Sequence, residues 1–436
     1  MASLPQVVFF LILAIAIGFF SWQVRRVLRN IKLGQPEERK DNPKQRWITM
    51  LRVAFGQTKM QKRPIAAVLH LFVYIGFVII NLEVAEIVLD GLLGTHRILA
   101  FIPFYATLIS LFEVLAVLVI TSCAIFLIRR SLLKIPRLNQ PELNKWPRQD
   151  AIIILAIEIV LMLAFLTMNS AESVLLHSAY DDPNLIIYRT GLHPDSFWIS
   201  QHLAPLLSNF SAPALIFLER SAWWIHIIGI LLFLNYLPIS KHFHIILAFP
   251  ATYFSNLKPK GQLKSLPQIT TEIKSMLGTA DSAVGTDTPH IAFGAKDIRD
   301  LSWKNLLDAY TCTQCGRCSA VCPANQTGKL LSPRKILIDT RKRMIEVGNN
   351  QNPSSTLLDH YITREEVLAC TTCNACTEAC PINLDPLDII FKIRQYLIME
   401  ESSAPHEWMS MFNNLENNGS PWAFARQARA DWTKEA

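Results

Sequence analysis

Charge is scarce in this chain. Only 18% of its 436 residues are Asp, Glu, Lys or Arg, against 51% hydrophobic, an unusual balance for a water-soluble protein. The scarcity is uneven, because apolar residues crowd into 1–250 and charges spread over the rest. The net charge is +7, yet no basic face of the kind a nucleic acid needs is present. The positive residues collect in two short loops between apolar runs, so no nucleic-acid partner is expected. No basic stretch precedes the first apolar run, and Arg25, Arg26 and Arg29 follow it; an uncleaved anchor is therefore expected, not a signal peptide. Paired charges inside the apolar runs are too few for a transport pathway. No glycine loop follows a strand signal in the C-terminal part, so no flavin or nicotinamide site is expected there. Cysteine is nearly missing outside two short motifs, which hold eight of the nine. Such spacing, facing a reducing compartment, points to metal or cluster ligation and excludes a disulfide framework.

The apolar runs themselves are long. Five of them, at about 7–24, 65–89, 98–127, 151–168 and 222–249, can each cross a bilayer. Residues 24–63 carry twelve Lys/Arg against three acids and 129–150 carry six against two, whereas the long loop 171–221 has only Arg189 and Arg220. By the positive-inside rule the basic loops are cytoplasmic. The N-terminus is then outside, and five spans leave the C-terminal part in the cytoplasm. The expected fold is mainly α: a five-span transmembrane helical bundle plus a cytoplasmic α-helical ferredoxin-like dicluster domain, in the inner membrane. The expected units are a membrane domain (1–250), a linker (251–300), a dicluster domain (301–400) and a C-terminal docking segment (401–436). Helices are expected at 302–310 and, with Ser332 as cap and Pro333 in its first turn, over the segment SPRKILIDTRKRMIEVG.

The two motifs are TCTQCGRCSAVCP at 311–323 and ACTTCNACTEACP at 369–381. Each reads C-x2-C-x2-C-x3-C-P. In the two-cluster ferredoxin arrangement the fourth cysteine of each run ligates the other cluster. That assigns Cys312, Cys315, Cys318 and Cys380 to one [4Fe–4S] centre, and Cys370, Cys373, Cys376 and Cys322 to the other. The alternative is structural zinc, which favours paired CxxC knuckles separated by a longer gap.

Ionisable residues within the spans are functional candidates. On one continuous fifth helix His226 and His244, eighteen residues apart, would share a face about 27 Å apart along the axis. Each would suit an axial ligand of a haem b, one near each membrane surface. His70, at the cytoplasmic start of the second span, is level with His244 and is its expected inner partner. His96, at the outer start of the third, is the expected outer partner of His226. His177, His193 and His202 are alternatives for that role, otherwise surface residues. His242 is expected to point elsewhere. Glu83 and Glu86, with Arg97 nearby, could hold a quinone, or could merely cap the membrane interface. Glu113 and Glu158 are expected to be hydrogen-bonded inside the bundle, and Cys123 to be a small core residue. Trp223 and Trp224 suit an interfacial belt, and Lys241 either a haem propionate or the membrane surface.

The stretches VLHLFVYIGFVII and HIIGILLFLNYLPISKHFH resemble the second and fifth spans of the cytochrome b (gamma) subunit of respiratory nitrate reductase. That resemblance covers roughly residues 5–250 and implies five spans and two bis-histidine haems. The family's second span has another histidine ten residues past the first, where this chain has Ile80. The tail, with CGRCSAVCPANQTGKLLSP and NNGSPWAFARQARADW, resembles the iron–sulfur part of heterodisulfide-reductase-like proteins. Fused relatives of this kind include membrane-bound electron-transfer-flavoprotein:quinone oxidoreductases, whose tails continue into cysteine-rich CCG domains. No Cys-Cys pair occurs here, so a separate CCG-type iron–sulfur subunit, with an electron-transfer flavoprotein or another soluble donor behind it, is the implied partner. Trp408, Phe412, Trp422, Phe424 and Trp432, interleaved with Arg426 and Arg429, suit a docking surface or wrap back onto the cluster domain. The resulting expectation is a membrane electron-transfer subunit working between such a donor and quinone. The competing one is a haem-free anchor that carries a ferredoxin-like module.

Overall fold

The computed structural model describes residues 3–133, 135–179, 182–262, 266–278 and 293–434. Five helices in it are long and apolar enough to cross a membrane. They are Leu4–Ile31, Pro64–Leu93, Tyr105–Ser131, Trp146–Ser178 and Ala212–Tyr236. Their ends follow from local chemistry. Ser3 caps the first, its N–H held by the Gln6 side chain at 2.6 Å. Proline opens the second, and Gly94 closes it with a left-handed turn (φ 71°). The first span lies against the second and fifth, the third between the second and fourth, and the fourth against the fifth. Two glycines permit this closeness: a Cβ at Gly76 would stand 2.5 Å from Val119, and one at Gly229 2.6 Å from Leu161. The outward faces carry exposed apolar side chains such as Phe10, Ile15, Val78 and Leu232, as lipid contact requires.

Two spans differ from the sequence-based expectation. The third helix starts at Tyr105, and residues 98–101 form a separate 3-10 turn, so His96 sits in a loop. The fifth starts at Ala212 and stops at Tyr236. Pro238, lacking an N–H, then breaks the ladder. Two 3-10 turns follow, the second capped by Ser240 Oγ accepting from the His242 N–H at 3.0 Å, before a new helix, His244–Tyr253. His226 and His244 therefore do not share one continuous face. His226 lies fourteen residues into its helix, about 21 Å from the start, mid-span and not at the outer surface.

No β-strand occurs among the described residues; the tail is helical too. Ser302 caps Trp303–Thr311, Ser332 caps Pro333–Gly348 and Thr363 caps Arg364–Leu368. The tail docks on the basic loops of the membrane half. Gln35 pairs with the 301–303 backbone, Asn30 donates to Tyr310 OH at 2.9 Å, and Arg26 donates to Asn349 at 2.7 Å. The expected linker lies partly outside the described residues (263–265, 279–292). Its last residues pack on the cluster domain, where the Ala295 N–H reaches Lys392 O at 3.0 Å. The helix His406–Asn418 has no buried residue, and Trp422, Phe424 and Trp432 are exposed, while Trp408 lies under the Arg394 guanidinium.

Candidate metal centres

The two cysteine loops share a backbone. The second and fourth residues after the first cysteine are left-handed in both: Gln314 (φ 58°) and Gly316 (φ 72°), then Thr372 (φ 54°) and Asn374 (φ 61°). Those turns wind three thiols around one centre before a short helix carries the chain to the fourth. Cys312, Cys315, Cys318 and Cys380 line one cavity, with Pro381 and Ile382. Burial raises the Cys370 thiol, and the charges of nearby Cys322 and Cys373 add to that. Around the first cavity the fourth cysteine, Cys380, comes from the other run.

The residues fit an iron–sulfur cube better than a single ion. All nine cysteines are free thiols. Among the described residues no three His, Cys, Asp or Glu side chains converge closely enough to hold one metal ion; the four thiols instead stand around a space. Burial pushes the Cys312 thiol up to about 11, and Cys376 and Cys380 up to about 12. Only a strongly bound cationic centre would keep thiolates there at neutral pH. Backbone N–H groups point at sulfur, Leu384 to Cys380 Sγ at 3.3 Å and Thr372 to Cys370 Sγ at 3.4 Å, the contacts that tune cluster potentials.

Deeper in the bundle, His70 and His244 face each other with ring centres 6.5 Å apart. With metal–nitrogen bonds of about 2 Å and a ring radius of about 1 Å, imidazoles on opposite sides of one metal have centres roughly 6 Å apart. Their Nδ1 atoms are both taken, His70 by Gln57 Oε1 at 3.0 Å and His244 by Lys241 O at 3.1 Å. Both Nε2 atoms remain for a metal, the pattern of metal-bound histidine. The sequence carried no signal for Gln57 or for the Lys241 carbonyl. His242 is less remote than expected, its ring edge-on to His244 at 5.5 Å.

The other expected pair is not formed. His96 uses both ring nitrogens within the loop that precedes the third span, Nε2 with Glu172 at 3.0 Å and Nδ1 with Arg220 at 2.9 Å, so none is left for iron. His226 has Nδ1 on Leu161 O at 2.8 Å and a fully buried, unpartnered Nε2. That Nε2 faces Glu83 Oε2 at 3.7 Å, and both Glu83 oxygens are likewise buried and unpartnered. Glu86 and Arg97 serve the loop instead. Glu86 accepts from Tyr105 OH (2.5 Å) and the Leu99 N–H (2.9 Å), while Arg97 donates to Glu172 (2.7 Å) and Asn169 (2.6 Å). Of the three quinone candidates only Glu83 has fully buried polar atoms without a hydrogen bond. His177, His193 and His202 are exposed. Glu113 and Cys123 are buried, Glu113 accepting from Asn169 at 2.9 Å. Lys241 is buried and does not snorkel to the surface: its Nζ donates to Gln314 at 2.8 Å.

Residues 304–381 match the family of 4Fe-4S dicluster domains. That part of the chain is thus similar to an iron–sulfur dicluster domain, and it is joined to a bundle with five helices long and apolar enough to cross a membrane. The chain is similar to a probable iron–sulfur-binding oxidoreductase, FadF, of Bacillus subtilis (28% identical, 98% of this chain, 60% of the relative). It is also similar to the EtfAB:quinone oxidoreductase of Syntrophomonas wolfei (25% identical, 100% of this chain, 60% of the relative). Over 24% of its length it is 32% identical to one subunit of the ferredoxin/F420H2-dependent CoB-CoM heterodisulfide reductase of Methanosarcina acetivorans, covering 56% of that relative. The chain spans about 60% of the length of the first two relatives. No solved structure matches it.

Proposed function

We propose that this chain is the membrane subunit of an electron-transfer complex that works between a soluble redox partner and the quinone pool. It sits in the inner membrane with its C-terminal half on the cytoplasmic side, as the basic loops 24–63 and 129–150 support. The observation that carries the reading is the opposed pair His70 and His244, each with Nδ1 occupied and Nε2 free. A haem b held by that pair would supply one-electron exchange at membrane depth. The chain's own part is to lock both imidazole tautomers through Gln57 and the Lys241 carbonyl, to keep the rings opposed, and to exclude water. Cys312, Cys315, Cys318 and Cys380, and Cys322, Cys370, Cys373 and Cys376, would hold two [4Fe–4S] clusters. The buried Glu83–His226 pair suits a group that takes up or gives out protons beside quinone. It lies thirteen residues, about 20 Å, along the second span from His70. The alternative for His226 is an axial ligand of a second haem b whose other ligand is not His96. The partner class we favour is an electron-transfer flavoprotein, as the name of the Syntrophomonas relative supports, or a cysteine-rich, CCG-type iron–sulfur protein.

Purified chain should show the sharp reduced α-band of bis-histidine haem b together with cluster EPR signals. His70→Ala and His244→Ala should each remove the same spectral component. Loss of different components in the two variants breaks the pairing. Clusters without any haem would favour the haem-free anchor, a reading supported by similarity over 36% of the chain to a probable membrane-anchored ferredoxin of Chromohalobacter salexigens, 28% identical.

A further inference from the structure

The two cysteine loops are alike in backbone but not in surroundings. From each of the two opposed histidines a chain of contacts runs toward the tail, and both chains end in the first loop. His244 Nδ1 bonds to Lys241 O at 3.1 Å, and the same lysine's Nζ donates to Gln314 at 2.8 Å, between Cys312 and Cys315. His70 Nδ1 bonds to Gln57 at 3.0 Å; two residues on, Lys59 O accepts from Arg317 at 3.1 Å, between Cys315 and Cys318. Arg137, from the loop between the third and fourth spans, donates to Cys315 O at 2.6 Å. The flanks of Cys380 meet the same face of the membrane half, Lys59 with Asn383 at 2.9 Å and Lys62 with Glu378 at 2.8 Å.

The second loop is turned the other way. Thr371, Thr372 and Cys373 are exposed. Its backbone is held from within the tail, by Arg394 donating to Cys370 O at 2.6 Å.

We propose that Cys312, Cys315, Cys318 and Cys380 hold the membrane-proximal centre and Cys322, Cys370, Cys373 and Cys376 the outward one. The exposed corner Thr371–Cys373 is then where a soluble redox partner exchanges electrons, and Lys241 is the positioning residue that ties the proximal loop to the backbone beneath His244. Each exchange is a one-electron step, one centre oxidised as its neighbour is reduced, with no bond made or broken. The inference rests on the proposed haem site for its direction into the membrane; the order of the two centres rests on the loops alone.

The test uses the full chain in lipid nanodiscs. Cys315→Ser and Cys373→Ser, each abolishing one cluster, assign the two EPR signals. In dithionite-reduced wild type, the soluble relaxing agent dysprosium-EDTA should speed the spin relaxation of the Cys370-side signal several-fold more than that of the Cys312-side signal. Lys241→Met, which removes the hydrogen-bond donor to Gln314, should lower the midpoint potentials of the Cys312-side cluster and of any haem. It should leave the Cys370-side cluster unmoved, and Lys241→Arg should restore the wild-type values. Preferential relaxation of the Cys312-side signal, or a shift confined to the Cys370-side cluster, overturns the order. If no haem is present but the two clusters behave as stated, the order stands and the haem reading fails by itself.

Discussion

Arg334 is fully buried in the tail, yet its guanidinium is spent on the membrane half. Nη2 donates to Glu142 Oε1 at 2.8 Å and Nη1 to Arg137 O at 2.6 Å, both acceptors lying in the loop between the third and fourth spans. Glu142 also accepts from Ser332 Oγ at 2.7 Å. Burial raises its carboxyl, but the bonds from Ser332 and Arg334 outweigh that and hold it below the usual carboxylate range. The pair's contribution is thus present at neutral pH and fades only in acid, as pH falls through that lowered value. Removing one partner of a buried pair costs roughly 3–5 kcal/mol, because the other charge stays buried alone. Glu142 keeps some solvent contact (9% exposed side chain), so Glu142→Leu or Arg334→Met should cost about 3 kcal/mol, the low end of that range. This corresponds to a roughly 100-fold larger undocked fraction of the tail. With a protease dilute enough that redocking outpaces cleavage, the cleavage rate tracks that fraction. Each single variant should be cut about 100-fold faster, and the double variant should recover most of the loss, since neither charge is then orphaned. Additive losses, or single variants cut at the wild-type rate, would refute the claim that this pair clamps tail to bundle.

Two further outcomes follow from the sites. Cys380→Ala should abolish the EPR signal that Cys315→Ser abolishes, far away in sequence, and loss of the Cys370-side signal alone would overturn the crossed ligand sets. Gln57→Leu leaves His70 Nδ1 without its acceptor, so it should weaken haem retention by roughly 10–100-fold, as loss of a partner behind a metal-bound histidine does elsewhere; unchanged retention in a dilution series counts against His70 as a ligand.

Most of this arrangement was legible where chemistry is local. Helix starts at Ser302, Ser332 and Thr363 follow from capping residues one to three positions away, and the CxxC spacing constrains the thiols within each loop. What failed depended on groups distant in sequence or on one strong local breaker. Pro238 ended the fifth helix within a hydrophobic run whose average gave no sign of it, and the face shared by His226 and His244 vanished with it. His96 looked free because its partners, Glu172 and Arg220, lie 76 and 124 residues away. Glu86 and Arg97 looked like a quinone site for the same reason. Each is engaged in the hydrogen bonds of the 97–105 loop, which periodicity cannot reveal.

The basic loops have two roles that the sequence suggested only in part. Their Lys and Arg content argues topology by charge count, a statement indifferent to which arginine sits where. In the folded chain positions matter: Arg137 bonds the Cys315 carbonyl, Lys62 pairs with Glu378, and Lys59 bonds Asn383. Four thiolates around an iron–sulfur cube leave a net negative centre, and desolvating such a charge against a membrane surface is costly unless cations surround it. The residues that would orient the bundle in a bilayer also supply those cations. A cluster held on the Cys312 side would be easier to reduce than the same buried cluster without those cations. At Cys370 itself the cation is Arg394, which the tail supplies and which donates to the Cys370 carbonyl. Two loops of one cysteine spacing are thereby given different electrostatic settings, and it is the bundle's loops, not that spacing, that distinguish them.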